Sequence, residues 1–177
     1  MVKCKICKAE FVRRSMSHKT CSIECAMEYV CQLREKNERK MIKARKLAIK
    51  PRSKWLKEAQ AAFNCWIKER DFSLPCISCG RHHQGQYHAG HWLSVGARPG
   101  LRFNEKNVWK QCAPCNVYLS GNLINFRIEL INRIGIAAVE ALESNHAQVR
   151  YSIVQLKSIA KEYKIKSSSL RRLRNEL

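Results

Sequence analysis

Acidic residues are scarce in this chain. Fourteen Asp and Glu stand against 34 Lys and Arg in 177 residues, a formal net charge of +20. A protein this basic repels itself and attracts polyanions, which makes nucleic acid the expected partner. Long apolar runs are missing too. No stretch of about 18 apolar residues occurs, so no membrane span is expected. The first residues, MVKCKICKAE, lack the apolar segment of a secretory signal. A protein kept in a reducing cytoplasm is therefore expected. Disulfides are disfavoured there, and paired CxxC spacing among the ten cysteines points to zinc instead. A membrane-surface role would need a basic helix with a continuous apolar face, which the most basic segment does not clearly show. Internal repeats are absent apart from two cysteine quartets of different spacing.

What is present fits one domain with small appendages, and the 45% hydrophobic content supports a modest core. The first quartet is Cys4-x2-Cys7-x13-Cys21-x3-Cys25. Two thiolate pairs on short turns can close a tetrahedral zinc site and hold a segment too small for its own core. Cys31 and His18 fit the paired pattern less well. A polar helical stretch follows over 22–50, with Ser22 as its cap. Between Arg34 and Lys57 there are eleven basic and two acidic residues. Such a run can be a solvated face or a set of phosphate contacts, and the overall charge favours phosphate. Lys43, Arg45, Lys46, Lys50 and Arg52 are its candidates.

Pro51 should interrupt the helical pattern. A second helix is predicted near 53–70, where Trp55, Ala59, Ala62, Phe63, Trp66 and Ile67 recur at three- and four-residue steps and form a core face. Cys65 is expected to be buried on it. Later, Leu123, Phe126, Leu130, Ile131 and Ile134 give helical spacing and Gly135 a stop. A short helix is expected near 136–143. A last one starts at Ser152, where Ser152 and Gln155 form a capping box. The basic tail KIKSSSLRRLRNEL is expected to be mobile.

The second quartet is Cys76-x2-Cys79-x32-Cys112-x2-Cys115. Two CxxC knuckles make a strong zinc signal, and four thiolates leave no open coordination position, so this zinc should be structural. Between the knuckles lie His88, His91, Asn104 and Asn107, and Asn116 follows the last cysteine. Glycine-rich residues 80–100 suggest an extended hairpin or loop, and NVWKQC reads as a strand. A strand–strand–helix unit clamped by zinc is expected.

This order of CxxC, GH, N and CxxCN resembles the HNH or ββα-metal nucleases, in particular the zinc-stapled endonuclease VII type. The stretches KPRSKWLKEAQ, RDFSLPCISCG, AGHW, LRFNEKNVWKQC, CNVYLSGNL and RIELINRIG resemble the NinG (Rap) recombination proteins of lambdoid phages, over roughly residues 45–150. The resemblance implies that His91 is the general base that activates water, a task for which neutral imidazole is suited. It implies that Asn107 holds the loop and orients His91, and that Asn116 opens the helix and binds a catalytic Mg2+ or Mn2+. One departure stands out. The endonuclease VII type carries an aspartate ligand directly before its histidine, where this chain has Gly90. His88 is an alternative ligand, and an imidazole would shift preference toward Mn2+ or a softer ion. Arg98 and Arg102 are candidates for flanking phosphates, and Glu105 for a helper.

The expected fold is α+β and mainly helical. It has a zinc-stapled ββα-metal core, long flanking helices and an N-terminal zinc knuckle. The expected divisions are a knuckle over 1–30, a basic helical segment over 31–70, the nuclease core over 71–135, and C-terminal helices over 136–177. The expected function is a metal-dependent DNA endonuclease acting on branched recombination intermediates, such as Holliday junctions and D-loops, in the bacterial host cytoplasm. Matched nicks suggest a homodimer joined through helices 22–50 or the C-terminal helices, and other phage or host recombination proteins are possible partners. The competing reading is a non-catalytic zinc module that binds nucleic acid. What separates the two is the His91, Asn107 and Asn116 set, which a pure binder does not need. A thiol oxidoreductase fits poorly, because the CxxC pairs come as quartets.

Overall fold

A computed structural model describes residues 1–176. The fold is mainly helical α+β with two small sheets. Two compact units emerge, Met1–Lys50 and Pro51–Leu177. The boundary at Pro51 splits the segment 31–70 that the sequence suggested as one piece, and leaves its second helix with the C-terminal residues.

In the first unit, strands β1 (Val2–Lys3) and β2 (Glu10–Phe11) pair antiparallel, with Val2 opposite Phe11. The turn between them closes through Lys8 N–H to Cys4 C=O at 3.2 Å, with Lys8 left-handed at φ 64°. Helix α1 (Ile23–Ala48) starts where expected. The Ser22 hydroxyl accepts from Cys25 N–H at 3.3 Å and satisfies one orphan donor of the first turn. No residue of α1 is buried. Pairs at i,i+4 such as Glu35 with Arg39 give it modest local support. The helix stops short of Pro51, whose ring disfavours helical geometry in the residue before it.

In the second unit, α2 (Arg52–Arg70) buries Ala59, Ala62, Phe63, Trp66 and Ile67, the face its periodicity marks out. Strands β3 (Tyr87–His91) and β4 (Val108–Cys112) form an antiparallel hairpin, with His91 opposite Val108 and His88 opposite Gln111. A 3-10 turn at Pro99–Leu101 lies in the long connection between them. A π-type turn at Pro114–Tyr118 follows β4. Then come α3 (Leu123–Ile134), α4 (Ile136–Glu143) and α5 (Ile153–Asn175). Gly135 separates α3 from α4 at φ 80°, a conformation that favours glycine. The capping box at Ser152 and Gln155 opens α5.

Helices α2 and α5 run side by side in the same direction. Arg52 donates to Tyr151 C=O at the start, Lys157 lies over the Trp55 ring, and Arg174 pairs with Glu69 near the end. Between them lies an aromatic core in which the rings of Phe63 and Tyr163 meet edge-on at 4.8 Å. Val108 and Ala89 of the hairpin pack against this core. A second core joins Ile77, Leu101, Phe126, Leu130, Val139 and Leu142, with Trp92 and Trp109 against it. The hairpin thus lies between the α2–α5 pair and the α3–α4 pair, which suits the alternation of side chains across a strand.

The basic tail, expected to be mobile, is helical through Asn175 among the described residues. Arg171 and Arg174 both pair with Glu69, and these contacts hold the last turns of α5 on α2. Cys65 is half-buried rather than buried, with the Arg171 guanidinium 2.9 Å from its sulfur. At the end of α2, Asp71 is 1% exposed. It is paired with Arg70 at 2.6 Å and accepts from Lys110 N–H at 2.9 Å. Arg70 also donates to Val108 C=O at 2.9 Å, so the pair ties α2 to β4.

Candidate metal centres and active site

The four sulfurs of Cys76, Cys79, Cys112 and Cys115 lie within 4.8 Å of one another. Cys79 and Cys112 are 3.9 Å apart. Tetrahedral zinc with bonds near 2.3 Å needs sulfurs about 3.8 Å apart, so the tetrad can hold that ion. Gly80 makes the first knuckle possible, with φ 66° and its N–H on Cys76 C=O at 2.9 Å. Burial acts to raise the Cys76 thiol, but N–H groups of Cys112, Cys79 and Ser78 outweigh it and bring the pKa below the usual value. Cys112 is pushed up to about 12, first by burial and then by its thiol neighbours. His83, which the spacing argument passed over, sits with Nε2 3.3 Å from Cys79 Sγ and can orient that ligand.

Cys4, Cys7, Cys21 and Cys25 also fall within 4.8 Å of one another. Cys7 and Cys21 are 3.3 Å apart, and Cys21 and Cys25 3.8 Å. Burial works to raise the Cys4 thiol, yet the N–H groups of Ile6, Cys21 and Cys7 bring it down to about 6. Hydrogen bonding with Cys7 and Cys4, together with burial, pushes Cys21 up to about 12. Cys31 and His18 lie outside this tetrad. The His18 ring instead meets Phe11 edge-on at 5.0 Å. Both quartets can therefore hold structural zinc.

His91 ends β3 on the face that Val108 and Ala89 turn toward α2 and α5. Its Nε2 lies 3.2 Å from Arg102 C=O. Burial lowers the His91 pKa, the hydrogen bond to that carbonyl pulls it back up in part, and the Arg102 guanidinium adds a smaller lowering. The Arg102 pKa is itself lowered by burial, and the Arg52 guanidinium adds to that. Arg102 donates to Gln60 Oε1 at 3.1 Å and Arg52 to Tyr151 C=O at 2.7 Å. Neither arginine pairs with a carboxylate among the described residues. The buried imidazole thus lies beside the Arg102 guanidinium, which in turn neighbours that of Arg52, an arrangement of cations without a carboxylate partner that is suited to an anion.

Asn107 is fully buried and clamps the chain that leaves His91. Its side chain accepts from Leu93 N–H at 2.9 Å and donates to Leu93 C=O at 3.0 Å, while its own carbonyl accepts from Trp92 N–H at 2.8 Å. His88 is on the opposite face of β3, so the two imidazoles do not converge. That face also carries Gly90. A Cβ there would lie 2.2 Å from Gln111 Oε1, which leaves no space for a side chain. Gln111 is held by Ser78 Oγ at 2.6 Å and Gly121 C=O at 2.5 Å.

Asn116 lies in the π-type turn Pro114–Tyr118, not at the start of α3. Positive φ at Ser120, Gly121 and Asn122 separates that turn from the helix. Glu105 is engaged elsewhere, accepting from Tyr163 at 3.0 Å and Lys166 at 2.9 Å. Arg98 donates to Ala97 C=O at 3.4 Å, and its Nε is buried without a partner among the described residues. Lys43, Arg45 and Lys46 are exposed on α1, and Lys50 closes the first unit. Among the described residues, the two cysteine tetrads are the only clusters of three or more His, Cys, Asp or Glu that could hold a metal.

The family model described as bacteriophage lambda NinG protein matches residues 1–176. The chain belongs to the NinG family. It is 45% identical over 174 residues to protein ninG of Escherichia phage lambda, covering 88% of this chain and 85% of that one. Protein ninG of Escherichia phage 933W is 42% identical over 192 residues, covering 98% and 96%. That of Salmonella phage P22 is 44% identical over 174 residues, covering 88% and 86%. No solved structure matches. No helix among the described residues is long and apolar enough to cross a membrane.

In this NinG-family chain, Gln60, Tyr151 and the approach of Arg52 to Arg102 carry no signal in the sequence. Gln60 and Arg52 belong to α2, whose periodicity marks only its core face. Tyr151 precedes α5 and carries no motif.

Proposed function

We propose that the protein is a metal-assisted DNA endonuclease that nicks branched recombination intermediates. The observation that carries this reading is the environment of His91, whose Nε2 lies 3.2 Å from Arg102 C=O in a buried site that lowers its pKa, with the Arg102 guanidinium nearby and that of Arg52 next to Arg102. A phosphate seated against the arginines would present phosphorus to a water next to the imidazole. His91 takes a proton from that water as its oxygen attacks, and the bond to the 3′ oxygen breaks. The leaving oxygen is protonated by solvent. Arg102 and Arg52 offset the charge that builds on the phosphate. Asn107 keeps the imidazole in place through the backbone of Trp92 and Leu93.

A divalent ion, when bound, would add charge neutralisation at the phosphate, and Asn116 would hold it together with substrate oxygens and water. Gly90 contributes no ligand, and no carboxylate replaces it, so the ion depends on substrate for most of its coordination. With His88 on the opposite face of β3, no imidazole tilts the choice, and such oxygen donors suit Mg2+ and Mn2+ alike. Two matched nicks call for a two-fold dimer, and α1, with no buried residue, offers the surface for it.

The test is a labelled four-way junction and a matched linear duplex incubated with wild type and His91→Ala, in Mn2+, Mg2+ or EDTA. Expected are junction nicks that need the divalent ion and fall about a hundredfold or more in the variant, while binding is kept. Wild type that binds junctions and never cuts would sink the reading. It would favour the second one, a zinc-containing nucleic-acid-binding module, which agrees with the two cysteine tetrads being the only metal-capable clusters among the described residues.

A further inference from the structure

The exposed side of α5 carries a straight basic stripe. Lys157, Lys161, Lys164, Ser168 and Arg172 are all exposed and follow one another at steps of four, three, four and four, so they share one face of the helix. No acidic side chain interrupts that face. The acids that could neutralise it are engaged elsewhere. Glu162 pairs with Lys166 at 2.8 Å, and Glu69 of α2 is shared by Arg171 and Arg174. None of Lys157, Lys161, Lys164 and Arg172 has a carboxylate partner among the described residues.

The stripe also has a fixed origin. Because α2 and α5 run parallel, its first member, Lys157, lies over Trp55 in the opening turns of α2. Arg52 opens that same helix and bonds Tyr151 just before α5. The stripe therefore begins at the end of the helix pair where Arg52, Arg102 and His91 are gathered, and leads away from it. From Lys157 to Arg172 the helix rises about 22 Å. That matches about six base pairs of duplex backbone.

We propose that this face of α5 is a track for one strand of a DNA duplex arm, carrying it away from the phosphate held at His91. The proposal rests on the nuclease reading for its polarity, and on charge complementarity for its occupant. A row made mostly of lysines, on a helix face with no amide side chain among its members, contacts phosphates more than bases, so the contact should be independent of sequence.

The experiment uses the full-length, zinc-loaded protein in EDTA-free buffer without Mg2+ or Mn2+, so that binding is measured apart from cutting. Lys157, Lys161, Lys164 and Arg172 are changed together to Gln. A control variant changes Lys3, Lys5, Lys8 and Lys19 to Gln, which removes the same charge from the first unit. All eight positions are exposed, and helicity by circular dichroism and zinc content confirm that each variant is folded. Duplex arms of random sequence attached to a four-way junction are titrated across a salt series. The expected result is at least about tenfold weaker binding by the α5 variant and a log–log salt slope shallower by about three, with a smaller change in the control. Backbone protection on each arm should shorten by about six base pairs. An α5 variant that binds with wild-type affinity and slope overturns the track while leaving the nuclease reading intact. Wild type that binds neither junction nor duplex overturns both.

Discussion

The Cys4–Cys25 tetrad and the Cys76–Cys115 tetrad use the same four thiols in opposite surroundings. In the first, Cys7 and Cys21 are exposed, and the neighbouring strands are two residues long. Among the described residues, the clusters of buried apolar side chains all belong to the second unit, and α1 leaves the knuckle with nothing buried. In the second, three of the four sulfurs are buried, and Cys112 is also the last residue of β4. One metal would be nearly the whole reason for a local structure. The other would join elements that already have cores on both sides. Bound zinc contributes on the order of 10 kcal/mol or more where it must create the fold. It is distributed through packing where the fold surrounds it.

The contrast can be broken most decisively by removing one ligand from each tetrad. All four tryptophans, Trp55, Trp66, Trp92 and Trp109, belong to the second unit, so their fluorescence reports on that unit alone. Cys112→Ser should lose one zinc equivalent and lower the tryptophan-detected stability by more than about 5 kcal/mol, since it leaves buried, unpaired thiols and frees the end of β4. Cys21→Ser should also lose one equivalent and leave the tryptophan melt in place. Equal shifts in both variants would show that the two sites are not as different as their surroundings imply.

A smaller effect sharpens the claim that the second unit has supports other than metal. Asp71→Asn breaks a buried pair that ties α2 to β4, and should cost about 3–5 kcal/mol in urea denaturation followed by tryptophan emission. Zinc content should stay at two equivalents. A loss of less than about 1 kcal/mol would mean that Arg70 finds another partner without strain.

The smallest expected effect is a pH dependence confined to the second unit. The His91 pKa is lowered in the folded protein, so between its folded value and about 6.5 the unfolded chain binds the proton that the folded chain refuses. Stability at neutral pH is unaffected by this group, and it declines as pH falls through about 6.5 toward the folded value. His91→Gln should flatten that decline. The acid limb of junction nicking should likewise lie below about 6.5. Arg102→Gln should move it upward, because a neighbouring positive charge is removed.

Much of this architecture was legible in the sequence because the signals were local. Ser22, Pro51, Gly135 and the Ser152–Gln155 pair act on their own helix ends, and the apolar spacing of α2 and α3 marks their buried faces without knowledge of a partner. The two cysteine quartets were equally plain. What escaped were consequences of pairing. The opposite facing of His88 and His91 follows once their stretch is a strand, which its Gly-rich composition did not reveal. The placement of Asn116 depends on positive φ at Ser120, Gly121 and Asn122, of which only the glycine advertises itself. The basic tail read as mobile by composition, and its helix is held because Glu69, about a hundred residues earlier, takes two of its three arginines.

The parallel pairing of α2 and α5 sets an order on folding. Their contacts join residues separated by 99 to 106 positions. Neither helix can bury its aromatic face until the intervening chain has been made and gathered. Closing a flexible loop of that length costs about 4 kcal/mol of chain entropy before any ring contact is gained. A zinc ion bridging Cys76 to Cys115 would short-circuit a large part of that loop, bringing the end of α2 and the start of α3 together early. On that view the metal in the second unit acts first on the search and only afterwards on the finished structure, and a chain starved of zinc should fold late before it is seen to fold badly.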